Sequence, residues 1–119
     1  MTQQYCLPKF KRMCEQQQIK SVFSDANAVY CPGLVLLGRA NGLHYSRLAV
    51  IVAKKNVKKA VKRNLLKRLI RESFRLNQHA LAGNDFIVIV KKPLAEEVNT
   101  QVLAILEKQW KRYLKRHSN

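Results

Sequence analysis

Short apolar runs separated by turn-forming residues predict a small sheet in this chain. Residues 30–40 and 43–53 hold two runs rich in Leu, Val and Ile, with Asn41-Gly42 between them. Asn-Gly supplies the positive φ angles of a tight turn, so these runs predict an antiparallel hairpin. A third run at residues 86–90, FIVIV, is continuously apolar. It predicts a strand that is covered on both faces.

Three further segments have the periodicity of helices. The first spans about residues 14–23 and ends at the turn-prone residues 25–27. The last spans about residues 94–116, and its apolar residues recur at helical spacing: Val98, Val102, Ile105, Leu106, Trp110 and Leu114. These segments and the strands together predict an α+β protein.

The middle helix has one apolar and one basic face. At about 100° per residue, its apolar arc contains Val61, Leu65, Leu66, Leu69 and Ile70. The opposite arc forms a polybasic ridge with Arg63, Asn64, Lys67, Arg68, Arg71 and Arg75, and Lys62 interrupts the apolar side. Four more lysines precede the helix and extend this surface: Lys54, Lys55, Lys58 and Lys59.

The charge of this region indicates a polyanionic partner. Residues 54–75 contain ten Lys or Arg and one acid, Glu72, so they carry +9 of the net charge of +16. No Asp or Glu occurs between Asp25 and Glu72. A solvated helix face usually interleaves acids with its cations, whereas a phosphate backbone would relieve this self-repulsion. Nucleic acid is therefore the leading partner.

Composition limits the class of protein. A chain of 119 residues and 13.8 kDa with 47% hydrophobic residues is expected to form one domain, residues 1–119, with a modest core. Three cysteines without metal-ligand spacing make a disulfide framework or zinc site improbable. The sequence shows no apolar segment typical of a signal peptide or membrane span, so a cytoplasmic location and no membrane partner are expected.

The residues suggest binding rather than catalysis. The three histidines are scattered, and the seven acids form no recognisable pair, so no catalytic or metal-ligating residue is assigned. Phe23 and Tyr30 flank a turn and could stack on unpaired bases, and the alternative for Phe23 is that it anchors its helix in the core. Asn64 could contact a base edge or be an ordinary surface residue.

The string RLAVIVAKKNVKKAVKRNLLKRLIRESFR resembles the signature of the bacterial ribonuclease P protein family. The family pattern, Arg-Asn-Arg-x-Lys-Arg-x-x-Arg-Glu after a strand that ends in a Lys-Lys pair, is matched at these positions: Lys54, Lys55, Arg63, Asn64, Lys67, Arg68, Arg71 and Glu72. The resemblance extends in order over nearly the whole chain, including Val22-Phe23 and the segment from Asp85 to Pro93.

The resemblance implies a fold and a function. The fold would be a two-layer α+β sandwich of the ribosomal protein S5 domain 2-like type, ordered αβββαβα. The protein would bind a large catalytic RNA subunit through the ridge and its lysines, and the 5′ leader of precursor tRNA through a cleft with Lys20, Phe23, Tyr30 and Arg39. Hydrolysis would be performed by the RNA with Mg²⁺, held mainly by the RNA subunit and the substrate. No obligate protein partner is evident.

Two positions depart from the family pattern. Leu65 stands where the family usually has the second Arg of Arg-Asn-Arg, so one expected RNA contact is missing. Ile19 stands at a position that is often aromatic in the family, which leaves Phe23 as the better stacking candidate.

Two other classes of protein compete with this assignment. A structural ribosomal protein that binds rRNA shares the size, charge and type of fold. A helix-turn-helix DNA regulator fits poorly, because the basic helix is flanked by strands.

Overall fold

A four-stranded sheet is the centre of the computed structural model, which describes residues 27–95 and 97–117. Its strands are β1 (Asn27–Cys31), β2 (Leu34–Ala40), β3 (Arg47–Val52) and β4 (Asn84–Val90). They lie in the order β1-β2-β4-β3, with β1/β2 and β2/β4 antiparallel and β3/β4 parallel. The chain thus places its most apolar strand, β4, inside the sheet.

The predicted hairpin of residues 30–40 with 43–53 is wrong. The first run is two strands, β1 and β2, joined by a turn at Pro32-Gly33, where Gly33 has a φ of +89°. The second run contributes β3, which β4 separates from β2. The segment between β2 and β3 instead crosses over the end of the sheet where β4 begins. There it is hydrogen-bonded to the residue before β4, since Asn41 N–H donates to Gly83 O and Gly83 N–H donates to Tyr45 O. A strand with two apolar faces gains most from the central position, and this gain outweighs a local turn signal.

The described residues form three helices: α1 (Ala60–Asn77) lies between β3 and β4, and α2 (Lys92–Ala95) and α3 (Asn99–His117) follow β4. The middle helix is confirmed as α1, which connects the parallel strands β3 and β4. The last helix is not continuous over residues 94–116 as predicted. The helical conformation is interrupted between α2 and α3. Val98 lies in this interruption and is 65% exposed, so it does not join the buried apolar side of α3.

The α+β class is confirmed, and one face of the sheet packs against α1 and α3. Its core is built around Phe86 of β4, whose ring lies edge-on to Phe74, Trp110 and Tyr113 at centroid distances of 6.2, 5.6 and 4.9 Å. Trp110 also donates its Nε1–H to the Ser73 hydroxyl at 2.8 Å, which joins α3 to α1. The two helices and the sheet are therefore locked together at one point.

The other face of the sheet carries a second apolar cluster. Leu37, Ala49 and Ile87 are buried there, and four half-buried residues pack against them: Ala28, Val35, Ile51 and Ile89. Burial of Phe86, Ile87 and Val88 confirms that β4 is covered on both faces. The predicted first helix, residues 14–23, lies outside the described residues.

We predict that Ser73→Ala lowers the free energy of unfolding by about 1–3 kcal/mol, because the buried Trp110 N–H would lose its acceptor. Ser46→Ala is the matched control. Ser46 is equally buried, but its Oγ has no hydrogen-bond partner among the described residues, so its removal should be neutral or slightly stabilising. Urea denaturation of both variants measures the difference, and equal losses would contradict the role assigned to the Ser73–Trp110 bond.

Candidate nucleic-acid interface

The four lysines before α1 lie on a loop that is tightly fixed to the fold. Val57 is buried in the core, and the Asn56 amide donates to Val90 O at the end of β4, at 3.2 Å. The backbone N–H groups of Asn56 and Val57 both donate to Ala53 O. The lysines themselves are exposed: Lys54, Lys55, Lys58 and Lys59. Their backbone is thus ordered before any ligand arrives, which lowers the entropy cost of binding.

Arg63 reaches back to this loop. Its Nη1 donates to Val57 O at 2.9 Å and to Lys58 O at 2.8 Å. Lys59, the N-cap residue, makes no side-chain capping bond. The Arg63 guanidinium therefore fixes the entry to α1, so this predicted RNA-binding residue also has a structural role.

The exposed face of α1 is rotated about the helix axis relative to the predicted ridge, because it includes Val61 while Arg63 is half-buried. Asn64 and Arg68 are exposed, and Lys62, Lys67 and Arg71 are half-exposed. Arg75 forms an ion pair with Glu72, so the one acid of this region neutralises the C-terminal end of the ridge.

The helical periodicity predicts Val61 in the apolar arc, and this prediction is wrong, because its side chain is 81% exposed. The buried stripe is narrower and consists of Leu66, Ile70, Ser73 and Phe74. Val61 lies about 140° around the helix from Leu66, at about 100° per residue, so it points away from the core. Leu65, at the same end of the helix, is half-buried.

A second candidate surface lies on the face of the sheet that carries the Leu37, Ala49 and Ile87 cluster. Tyr30 is 64% exposed, and its register partner Val35 packs against that cluster. Arg39, two residues after Leu37 on β2, shares this face. The structure therefore brings Tyr30 and Arg39 to one face, as the leader-cleft prediction requires. Lys20 and Phe23 lie outside the described residues.

The same face contains a polar network that the sequence did not reveal. Asp85 is buried and accepts two hydrogen bonds from Arg47, from Nε at 2.8 Å and from Nη2 at 2.6 Å. The Asn41 amide donates to Asp85 Oδ1 at 2.8 Å, and Arg39 is the register partner of Asp85 on β2. Strand register could have predicted this cluster, because Asp85 is the partner of both Arg39 and Arg47, but only once the order of strands was known.

Arg112 supports the edge of this surface from α3. Its Nη1 donates to Tyr30 O at 3.0 Å and to Gln109 Oε1 at 2.8 Å. Because β1 is an edge strand, the bond to Tyr30 O occupies one of its outward backbone acceptors.

Two side chains among the described residues have a pKa that burial raises. Burial raises the pKa of the Cys31 thiol, and the nearby Arg112 charge opposes this. Burial likewise raises the pKa of the Tyr113 hydroxyl. A raised thiol pKa means less thiolate near neutral pH, which argues against Cys31 as a nucleophile. Within residues 27–95 and 97–117, no three His, Cys, Asp or Glu side chains come together, and no helix is long and apolar enough to cross a membrane.

Comparison with known proteins places this geometry in a family. The family model described as Ribonuclease P matches residues 7–114. The ribonuclease P protein component of Edwardsiella ictaluri is 45% identical over 106 residues, which cover 89% of each chain. That of Azotobacter vinelandii is 49% identical over 104 residues, which cover 86% of this chain and 79% of the relative.

Solved structures agree with the sequence comparison. The RNase P protein from Thermotoga maritima superimposes with a TM-score of 0.73 at 33% identity, covering 91% of this chain and 98% of the other. A Staphylococcus aureus RNase P protein mutant with defective mRNA degradation activity gives a TM-score of 0.83 at 26% identity, covering 88% and 89%. The fold and its basic helix are therefore those of a bacterial ribonuclease P protein component. The chain belongs to the ribonuclease P protein family.

We predict that Arg63→Ala lowers the free energy of unfolding by about 1 kcal/mol, because two backbone carbonyls lose a charged donor. Hydrogen exchange should also become faster at the amides of residues 54–59. Arg68→Ala is the control, since Arg68 is exposed and its removal should change stability by less than about 0.5 kcal/mol. Unchanged exchange in the loop of Arg63→Ala would contradict the anchoring role.

Proposed function

We propose that this protein is the RNA-binding subunit of ribonuclease P and binds the catalytic RNA subunit through α1 and the loop before it. The observation that carries this proposal is the exposed cationic surface of Lys54, Lys55, Lys58, Lys59 and Arg68. Residues 54–71 contain no acid, and the acid that follows them, Glu72, is bonded to Arg75. Lysines act as point charges, while the planar Arg68 guanidinium can grip a phosphate with two donors. Lys62, Lys67 and Arg71 extend the same surface.

The 5′ leader of precursor tRNA would bind the opposite side of the molecule. An unpaired strand needs cations for its phosphates and an aromatic surface for its bases. Tyr30 and Arg39 supply one of each on the second face of the sheet, where Arg39 lies beside the Arg47–Asp85 pair and Tyr30 lies four register positions further along. The two RNA molecules would thus contact different faces of one small protein.

The cleavage itself would be performed by the RNA subunit with Mg²⁺. Mg²⁺ prefers carboxylate and phosphate oxygens. Three acids of the described residues are already bonded to the protein's own donors, with Asp85 on Arg47, Glu72 on Arg75 and Glu107 on Asn77. These three carboxylates are engaged by the protein's own donors, and in our proposal phosphates of the RNA and the substrate hold the metal ion. The protein's contribution would be binding and positioning.

We predict that the protein with a bacterial ribonuclease P RNA subunit cleaves precursor tRNA at the mature 5′ end, at a lower Mg²⁺ concentration than the RNA needs alone. The physical reason is that the protein's cations would reduce phosphate repulsion between the two RNAs. Cleavage assays across a Mg²⁺ titration test this. The protein alone should give no product, and a Mg²⁺ requirement unchanged by the protein would refute the proposal.

We predict that Tyr30→Leu weakens binding of long-leader precursor tRNA to the holoenzyme by about 1 kcal/mol or more, the low end of a base-stacking contact. Tyr30→Phe keeps the ring and should retain most of the affinity. Both variants should bind mature tRNA as the wild type does, because the leader is absent. Tyr30 is largely exposed, so neither change should unfold the protein. If Tyr30→Leu binds the long leader as tightly as the wild type, the stacking role is lost.

A further inference from the structure

An exposed apolar side chain lies in the middle of the basic surface of α1. Val61 is 81% exposed, and cationic residues both precede and follow it in the sequence. Three residues share its face at i+3, i+4 and i+7, namely Asn64, Leu65 and Arg68. This spacing puts all four side chains within an arc of about 100°, so they are neighbours on the helix surface.

These four side chains line a surface depression of about 380 Å³. Val61 and Leu65 supply apolar walls, while Asn64 and Arg68 supply an amide and a guanidinium. The volume falls in the range of small-ligand sites, about 300–1,000 Å³. The depression therefore combines an apolar surface with two different hydrogen-bonding groups.

We infer that this depression holds one unpaired base of the RNA subunit. A base is a flat ring with two apolar π-faces. Val61 and Leu65 can cover part of one face, and the Arg68 guanidinium can stack on a face as well. Its polar edge can bond with the Asn64 amide, which offers both a donor and an acceptor. The inference rests on the proposed function, and it adds recognition of a base to the binding of phosphates.

A phosphate group alone would not use this arrangement. Phosphate gains from cations, and an exposed Val61 side chain offers it nothing. The faces of bases within an A-form helix are also inaccessible, because each base is stacked between its neighbours. The occupant is therefore a base from a loop, bulge or junction. Leu65, which stands where the family usually has an arginine, then forms a wall of the depression instead of a phosphate contact.

The test compares Val61→Ala with Val98→Ala in titrations of the RNA subunit over a series of salt concentrations. Both positions are highly exposed apolar residues, but Val98 lies before α3 and away from the depression. Val61→Ala should weaken binding about fivefold at every salt concentration, because two carbon groups lose an apolar contact. Its salt slope should match the wild type, since no charge is removed. Val98→Ala should bind as the wild type does.

Arg68→Gln provides the contrasting behaviour. It should weaken binding and also flatten the salt slope by about one unit, because it removes a cation. Chemical probing with reagents that together report all four unpaired bases adds a structural readout. One nucleotide should be protected by the wild type and by Val98→Ala, and should become reactive again with Val61→Ala.

The outcomes separate this inference from the function on which it rests. If the wild type fails to bind the RNA subunit, the proposed function falls and this inference falls with it. If the wild type binds and Val61→Ala binds equally tightly, the inference alone is overturned. Weaker binding by Val61→Ala without any newly reactive base would also overturn it.

Discussion

The packing of Phe86 among three other aromatic rings is the contact on which the described fold depends. Phe86 is on the inner strand β4, Phe74 is on α1, and Trp110 and Tyr113 are on α3. Each edge-to-face pair adds about 0.5–1.5 kcal/mol beyond the burial of its area. More important for function, the cluster fixes the rotation of α1. Phe74 is buried together with Leu66 and Ile70, and Asn64 and Arg68 are exposed on the outward side of the helix.

The alternation of side chains along β4 lets one strand support both candidate RNA surfaces. Phe86 points into the helical layer, whereas its neighbour Asp85 lies on the opposite face, with Ile87. The Asp85 carboxylate holds the Arg47 guanidinium and the Asn41 amide, and the loop between β2 and β3 is thereby tied to the start of β4. A buried carboxylate is costly unless it is paired, and this pairing satisfies it while leaving Tyr30 exposed further along the face.

Features encoded by local periodicity were predictable from the sequence, and features that depend on distant partners were not. The strand at FIVIV and the basic helix follow from patterns within the segments themselves, and both are confirmed. The order of strands depends on residues that are distant in sequence. Asn41-Gly42 fits the pattern of a hairpin turn, yet β4 and not β3 pairs with β2. The exposure of Val61 also could not be predicted from the sequence. Helical periodicity shows which residues share a face, but not how much of that face the sheet and α3 cover.

Two arginines of the basic region are already bonded within the protein. Ten Lys and Arg residues lie between residues 54 and 75, yet the guanidinium of Arg63 is bonded to backbone carbonyls and that of Arg75 to Glu72. A cation already bonded within the protein releases fewer counterions from RNA than an exposed one, because it must give up its internal partner to contact a phosphate. The count of basic residues therefore overstates the number of phosphate contacts that α1 and its loop can form. Within this region, Arg63 holds Val57 and Lys58 in place, so that the neighbouring lysines would meet the proposed RNA partner from an ordered backbone.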